Sequence, residues 1–430
     1  MEEFAGRTLD GATTDGASLG EVWRRGKDPG LSGNTRGAAL ARRVDHRAQL
    51  PARPKSESPY GVWFQEPPFA ASMSLGQITV SNLRCIEQAD LELPAGLTLV
   101  WGGNGSGKTS LLEAIFLLGR GRSFRTRNTH RLIRHGQDRM RVIGHVKRSG
   151  LAPTVVGLEM DRTGEAPGGL SAKVGGRAVD SLAELSQIFP VQVIEPGVHR
   201  LVEEGGYRRR RWLDWAVFHV EPAFVDTWVR YTRALKQRNA ALKTDPAQAS
   251  IWDPELARLG TLVSDSRQRL LTSLEPYWNE AVLSLSGLPV ELHYLRGWSH
   301  EHSLAEAIAA SRARDEMRHL THAGPHRADV AVRLHGRPAR EVLSRGQQKM
   351  VAVAMTLAQL RLLQVTTDTT PTLLLDDPAA ELDVEYLRRF IAQISPLRCQ
   401  LVVTSLQAES RLFGAPERMF HMDEGRVESV

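Results

Sequence analysis

The sequence predicts an α/β fold, a parallel-sheet nucleotide-binding domain interrupted by a mostly helical lobe. Three observations carry this. An apolar strand, a glycine-rich loop and a helix follow one another from Leu97 to Phe116. Two later runs, Thr372-Leu373-Leu374-Leu375 and Leu401-Val402-Val403-Thr404, are continuously apolar, as strands buried on both faces are. Between the loop and those runs, residues 197–320 carry apolar residues at helical spacing.

The loop runs Gly102-Gly103-Asn104-Gly105-Ser106-Gly107-Lys108-Thr109 and fits G-x-x-x-x-G-K-[ST] in the strand–loop–helix setting that gives the match its meaning. Glycines let successive backbone N–H groups turn inward around a phosphate, where side chains would obstruct it. The following helix directs its positive end at the same anion. Lys108 is placed to reach the β- and γ-phosphates, and the Thr109 hydroxyl to ligate Mg²⁺.

The chain has 430 residues, 41% hydrophobic and 24% charged, which suits two or three ordinary globular domains. No apolar run is expected to reach the ~18 residues of a membrane span. Cys85 and Cys399 make neither a disulfide framework nor a CxxC pair, which fits a reducing cytoplasm. A net charge of +6 permits a polyanionic partner without requiring one.

Residues 1–72 are rich in Gly, Ala, Arg, Asp and Pro and show no period. They read as a disordered extension. The two accounts are a basic arm and, preferred, upstream DNA translated from a start set too early; a chain beginning at Met73 is then expected to match the full one. Ordered pattern starts there, with strands expected over Gly76–Arg84, Ala89–Leu93 and Leu97–Trp101. Gly119 to Arg127 is a dense basic stretch with one aromatic, either a phosphate contact or a solvated loop. Strands follow from Arg141 to about Val174. The expected boundaries are a first head segment at 73–196, a helical lobe at 197–320 and a second head segment at 321–430. In the lobe, Tyr231 to Lys243 is helical and basic. Leu256, Leu259, Val263, Leu270, Leu271 and Leu274 make one apolar stripe. Arg209, Arg210, Lys236 and Arg238 are expected in this lobe, some facing a nucleic-acid channel.

Beyond the lobe, Leu343-Ser344-Arg345-Gly346-Gln347-Gln348-Lys349 opens the apolar helix Met350 to Leu363. Ser344 sits at a helix start, as an anion contact or an ordinary N-cap. Leu373-Leu374-Leu375 ends in Asp376-Asp377, and ligands sit at the carboxyl ends of such strands. One carboxylate there serves Mg²⁺ and a second can orient water.

Phosphate loop, Ser-Arg-Gly-Gln and Leu-Leu-Leu-Asp-Asp, in that order, resemble an ABC-type ATPase head. The resemblance narrows to the RecF family on Gly103 to Ile115, Gly121-Arg122-Ser123-Phe124-Arg125-Thr126, Ala234-Leu235-Lys236-Gln237-Arg238-Asn239, Gly324-Pro325-His326-Arg327, Leu343 to Lys349 and Leu373 to Asp377. These stretches cover the chain from Met73 to its C-terminus. Three segments depart from the family pattern. Asn82-Leu83-Arg84-Cys85-Ile86 stands where Asn-Phe-Arg-Asn-Tyr is common. Glu195-Pro196-Gly197-Val198-His199 stands where Ser-Pro-Glu-Asp-Leu is usual, which leaves the inter-lobe phosphate sensor open. Ala328-Asp329 replaces an acidic pair.

The resemblance implies a cytoplasmic, ATP- and Mg²⁺-dependent DNA-binding protein of replication and repair, without membrane contact. Its expected partners are DNA at single-strand gaps and single–double-strand junctions, RecO and RecR, and RecA indirectly, in support of the SOS response. It implies that Gly102, Gly103, Asn104, Gly105, Ser106, Gly107, Lys108, Thr109 and Ser110 hold ATP, and that Thr109 and Asp376 hold Mg²⁺. Asp377 polarises water, with Asp376 beside it as the other catalytic carboxylate. Ser344, Gly346 and Gln347 cap the nucleotide of a second copy in an ATP-dependent homodimer. Aspartate is shorter than glutamate at the water-polarising position, so weak, DNA-dependent turnover is expected. A transporter subunit shares the loop but lacks the long insertion, and usually has a histidine where Thr404-Ser405 stand. A RecN-type protein needs sustained heptads, which are missing. A nucleotide-gated clamp with vestigial hydrolysis is the non-enzymatic alternative.

Overall fold

The computed structural model describes residues 73–126, 128–162, 169–179, 182–367, 369–381, 384–408 and 413–430. The expectations for residues 1–72 and for Arg127 lie outside the described residues.

The chain begins with β1 (Met73–Leu83) and β2 (Ile86–Glu92), then β3 (Leu97–Trp101), which delivers the phosphate loop to α1 (Lys108–Arg120). Next come β4 (Arg139–Arg148), β5 (Thr154–Asp161), β6 (Leu170–Val174), β7 (Arg177–Ala178), α2 (Leu182–Ile188) and β8 (Val191–Ile194). An antiparallel sheet forms in the order β2-β1-β4-β5-β6-β7. In β4, Met140, Val142 and Val146 point inward, while Arg139 and Arg141 face out. Those two arginines pair with the directly opposed Asp161 and Glu159 at 2.7 and 2.6 Å.

Residues 197–320 supply α3 (Arg200–Glu203), α4 (Gly206–Val220), α5 (Phe224–Thr244), α6 (Asp253–Ser286), β9 (Val290–Leu295), α7 (Leu304–Ala310) and α8 (Arg312–Arg318). The stripe from Leu256 to Leu274 is the buried face of the 34-residue α6. β9 pairs antiparallel with β10 (Asp329–Leu334), which also pairs with β11 (Arg337–Pro338). The chain closes with α9 (Ala339–Val342), α10 (Arg345–Thr367), β12 (Thr372–Leu375), α11 (Pro378–Glu381), α12 (Val384–Ile394), β13 (Gln400–Ser405), β14 (Arg418–Asp423) and β15 (Arg426–Ser429).

The second large sheet has the order β15-β14-β3-β13-β12-β8, parallel except for β15. Its strands read as unbroken apolar runs because both faces are covered. Val100, Leu374 and Val402 face a core shared with α1 and the antiparallel sheet. Their chain neighbours Leu99, Leu373, Leu375 and Val403 face a core shared with α4, α6, α10 and α12. Helix α1 lies between the sheets and is buried on nearly every side, so from Leu111 to Gly119 its sequence is apolar all round except for Glu113, which Arg84 holds at 2.9 Å. A Cβ on Gly119 would stand 2.2 Å from the Phe189 carbonyl, so only glycine lets α1 lie this close to the chain entering β8.

Helix α10 corrects the expectation that no segment has membrane-spanning length and hydropathy. It has both, but 72% of its most apolar window is buried inside the protein. Its apolarity follows from packing against α4 and α6 in the core.

Candidate nucleotide site

The site gathers at the carboxyl ends of β3, β12 and β8. β3 stops at Trp101 and the loop crest, Gly103-Asn104-Gly105, is exposed. Gly107 has φ of 112°, and a Cβ there would stand 2.8 Å from both Cys85 Sγ and Met422 Cε. The loop is braced by the Gly425 N–H donating to Ser106 O at 2.8 Å. Ser106 Oγ is buried and has no partner among the described residues. The Lys108 ammonium donates to the carbonyls of Gly102 and Gly103 at 2.7 and 2.8 Å. Burial lowers its pKa, against the pull of Asp377 and Asp376.

Thr109, on the first turn of α1, donates its hydroxyl to Asp376 Oδ1 at 2.9 Å, with Oδ2 at 3.1 Å. Thr404, at the end of β13, donates to Asp376 Oδ1 at 3.1 Å. Burial raises the Asp376 pKa, and these two hydroxyls oppose the shift. The next residue, Asp377, takes φ of 45°, the left-handed region that non-glycine residues seldom occupy, and its N–H donates to Thr404 Oγ1 at 2.8 Å. A hydroxyl and a carboxylate in contact are the hard oxygen donors that suit Mg²⁺. The exposed loop crest and the unpaired Ser106 Oγ suit a phosphate.

One carboxylate was missed as part of this group. Glu195 follows β8 directly, on the strand beside β12, and lines a small cavity with Asp376 and Lys349. Burial raises its pKa first; Arg200, 3.6 Å away, opposes the shift and Asp376 adds to it. The available signal was position, since Val191-Gln192-Val193-Ile194 is a buried run ending in an acid.

Ser344 N-caps α10. Its Oγ accepts from the Gln347 N–H at 3.3 Å, and Gln347 Oε1 accepts from the Ser344 N–H at 2.9 Å, a reciprocal capping box. Ser344 and Gly346 are exposed beside a cleft of about 490 Å³ between Pro196–Arg200 and Arg345–Lys349. Among the described residues, Ser344, Gly346 and Gln347 make no hydrogen bond to the phosphate loop of their own chain. Ser110 is buried behind the loop, its Oγ 3.9 Å from Cys85 Sγ.

Of the four basic residues assigned to the lobe, Arg209 and Arg238 do not face solvent, which leaves Arg210 and Lys236 as the ones available to a channel. Arg209 holds Asp329 with two 2.8 Å hydrogen bonds, and Arg238 holds Asp253 and Asp315 at 2.7 Å each. Both are buried, because distant carboxylates neutralise them. Arg210 is half-buried and donates to Ala328 O, whereas Lys236 is exposed.

A family model described as the RecF/RecN/SMC N terminal domain matches residues 74–424. The DNA replication and repair protein RecF of Pseudomonas fluorescens is 36% identical over 365 residues, covering 83% of this chain and 98% of the relative. The chain belongs to the RecF family. The Pseudomonas aeruginosa RecF is likewise 36% identical, over 83% of this chain and 97% of its own. A solved structure described as the recombination mediator protein RecF-ATP in the RecFOR pathway superposes with a TM-score of 0.76 at 26% identity, covering 84% of this chain and 98% of that one. A Pyrococcus furiosus Smc head domain, 14% identical with a TM-score of 0.50 over 83% of this chain and 96% of its own, shares the fold. The α/β ABC-type ATPase head of this RecF-family chain is thus the architecture common to RecF and SMC heads.

Proposed function

We propose that this chain is an ATP-dependent DNA-binding protein of replication and recombinational repair, acting in the cytoplasm. The observation that carries the reading is the Thr109–Asp376 contact, which joins a phosphate loop to a strand-end carboxylate in a RecF-family chain. The Gly102–Ser110 segment binds the phosphates, and Lys108 leaves the loop carbonyls to neutralise them. Thr109 and Asp376 hold Mg²⁺, which supplies charge neutralisation on the phosphate oxygens. Asp377 orients water. Ser344, Gly346 and Gln347, which are turned to solvent or half-buried, cap the nucleotide of a second copy, so that ATP closes a homodimer on DNA at gaps and junctions. With RecO and RecR the dimer helps RecA load, in support of the SOS response. The boundaries 73–196, 197–320 and 321–430 serve as head, lid lobe and head.

The test is dimerisation by light scattering and ATP turnover, each with and without junction DNA. Lys108→Ala should lose nucleotide binding. Ser344→Arg should bind ATP as a monomer yet fail to dimerise. Asp377→Asn should bind ATP, scarcely cleave it and persist as a dimer on DNA. Mixed Lys108→Ala and Ser344→Arg subunits should rebuild one intact site. Loss of ATP binding in the Ser344→Arg monomer would sink the shared-site arrangement. A clamp with vestigial hydrolysis is the second reading, favoured by the short Asp377 side chain; it predicts DNA-dependent dimers with no turnover above the Asp377→Asn level.

A further inference from the structure

The far end of α1 from the phosphate loop carries a second concentration of positive charge. Arg120 closes the helix, Arg122 follows one residue later, and Arg211 approaches from α4. The Arg120 guanidinium carbon lies 5.5 Å from the ring centres of both Phe116 and Trp215, and Arg211 lies 5.4 Å from the Tyr207 ring. Among the described residues neither Arg120 nor Arg122 makes an ion pair or a side-chain hydrogen bond. Their Nε atoms are shielded from water without an acceptor. Asp214, the acid whose charge is felt at Arg122, is already held by Arg267 at 2.7 and 3.0 Å. The carboxyl end of α1 supplies roughly half a negative charge, too little for two guanidinium groups. Burial, and then mutual repulsion with Arg211, pushes Arg122 down to about 9. Arg120 is lowered for the same reasons, with Arg122 as its strongest repelling neighbour. The arginines already buried in this chain, such as Arg209, Arg238 and Arg267, have carboxylate partners; these two do not.

We propose that Arg120, Arg122 and Arg211 form a binding site for a phosphate group at the seam between α1 and α4. A 13-residue helix, about 20 Å long, separates it from the phosphate loop, so the site does not depend on the nucleotide reading. Planar guanidinium forks match a tetrahedral oxyanion in shape and charge, and the aromatic rings fix their planes. The exposed Tyr207 ring stands beside the cluster. The phosphate can come from a free oxyanion or from the backbone of a single-stranded nucleic acid.

The experiment uses the full chain carrying Lys108→Ala, so that the phosphate loop contributes least. Inorganic phosphate and pyrophosphate are titrated against chloride at matched ionic strength while the melting temperature is followed. The site should raise it by about 2 °C near saturation, and R120Q/R122Q should abolish the rise. In parallel, oligo-dT binding is measured against salt. If backbone phosphate is the ligand, the double variant should flatten the slope by about 0.7 for each phosphate it no longer neutralises. Either response, if abolished in the variant, supports the site and names its source. Should the double variant fail to fold, Arg122→Lys keeps the charge, removes the fork and should weaken the response at least tenfold. Equal responses in parent and folded variant, in both arms, would overturn the proposal.

Discussion

Asp376 is a buried carboxylate whose charge is sustained by two hydroxyls. Its pKa lies above the usual aspartate range because burial outweighs those hydrogen bonds. In the proposed role Asp376 would hold Mg²⁺ in its ionised form, so Mg²⁺-dependent ATP affinity should fall as the pH drops, beginning at a higher pH than a free aspartate would give. Isothermal titration across acidic pH checks this, and Asp376→Asn should remove both the metal requirement and its pH dependence. Arg238 makes a different demand on its surroundings. Asp315 is fully buried and accepts from Arg238 at 2.7 Å, while Thr321 Oγ1 accepts from the same nitrogen at 2.8 Å. Removing the cation takes away the one arginine that neutralises this buried carboxylate and leaves it the His322 N–H and ring and the Ser311 hydroxyl, so Arg238→Ala should cost about 3 kcal/mol in chemical denaturation. If Arg238 were a DNA contact, the same change would alter the salt slope and leave stability alone.

At the scale of an element, the head of α10 joins an observed cap to the proposed contact with a second copy. Ser344 closes the capping box with Gln347, and its exposed position also suits it to meet a second copy. Ser344→Ala should therefore cost about 1 kcal/mol of stability, because the cap goes with the hydroxyl. Ser344→Asp restores the cap and should return that stability. Because it places a negative charge where a phosphate would come, it should still block ATP-dependent dimerisation. Denaturation midpoints and light scattering on the two variants separate the roles. A Ser344→Asp chain that dimerises normally would reduce the serine to a cap.

For residues 73–430, the decisive feature is the core that runs through the central sheet. Leu99, Leu373 and Val403 share one apolar cluster with Trp215 of α4, Leu256 of α6 and Val353 of α10. β9 adds a strand pairing with β10 across the expected lobe boundary. Helices and sheet thus bury one another, and neither keeps a complete core alone. Calorimetry should show one cooperative transition, with matching calorimetric and van't Hoff enthalpies. A separate, earlier transition assigned to α4–α8 would overturn this.

The sequence by itself determined what is local. The glycine spacing from Gly102 to Gly107, the strand before it and the helix after it lie within one short stretch, and each follows from backbone freedom and apolar period. The apolar run into Asp376-Asp377 and the serine at the head of α10 were legible for the same reason. Tertiary structure decided what depends on which strands lie side by side. Thr109 and Asp376 are 267 residues apart and meet because β13 lies between β3 and β12 in one parallel sheet. Glu195 joins them because β8 pairs with β12. The basic residues show the limit most plainly. Which of Arg209, Arg210, Lys236 and Arg238 face a channel could not be read from the sequence, because a sequence shows a cation's neighbours along the chain; Arg209 and Arg238 are buried. Their partners, Asp329 and Asp315, are 120 and 77 residues away. Arg120 and Arg122 lie in a stretch that reads as a phosphate contact or a solvated loop, and the fold brings them to Arg211. Charge is a property of the residue, but its neutralisation belongs to the fold.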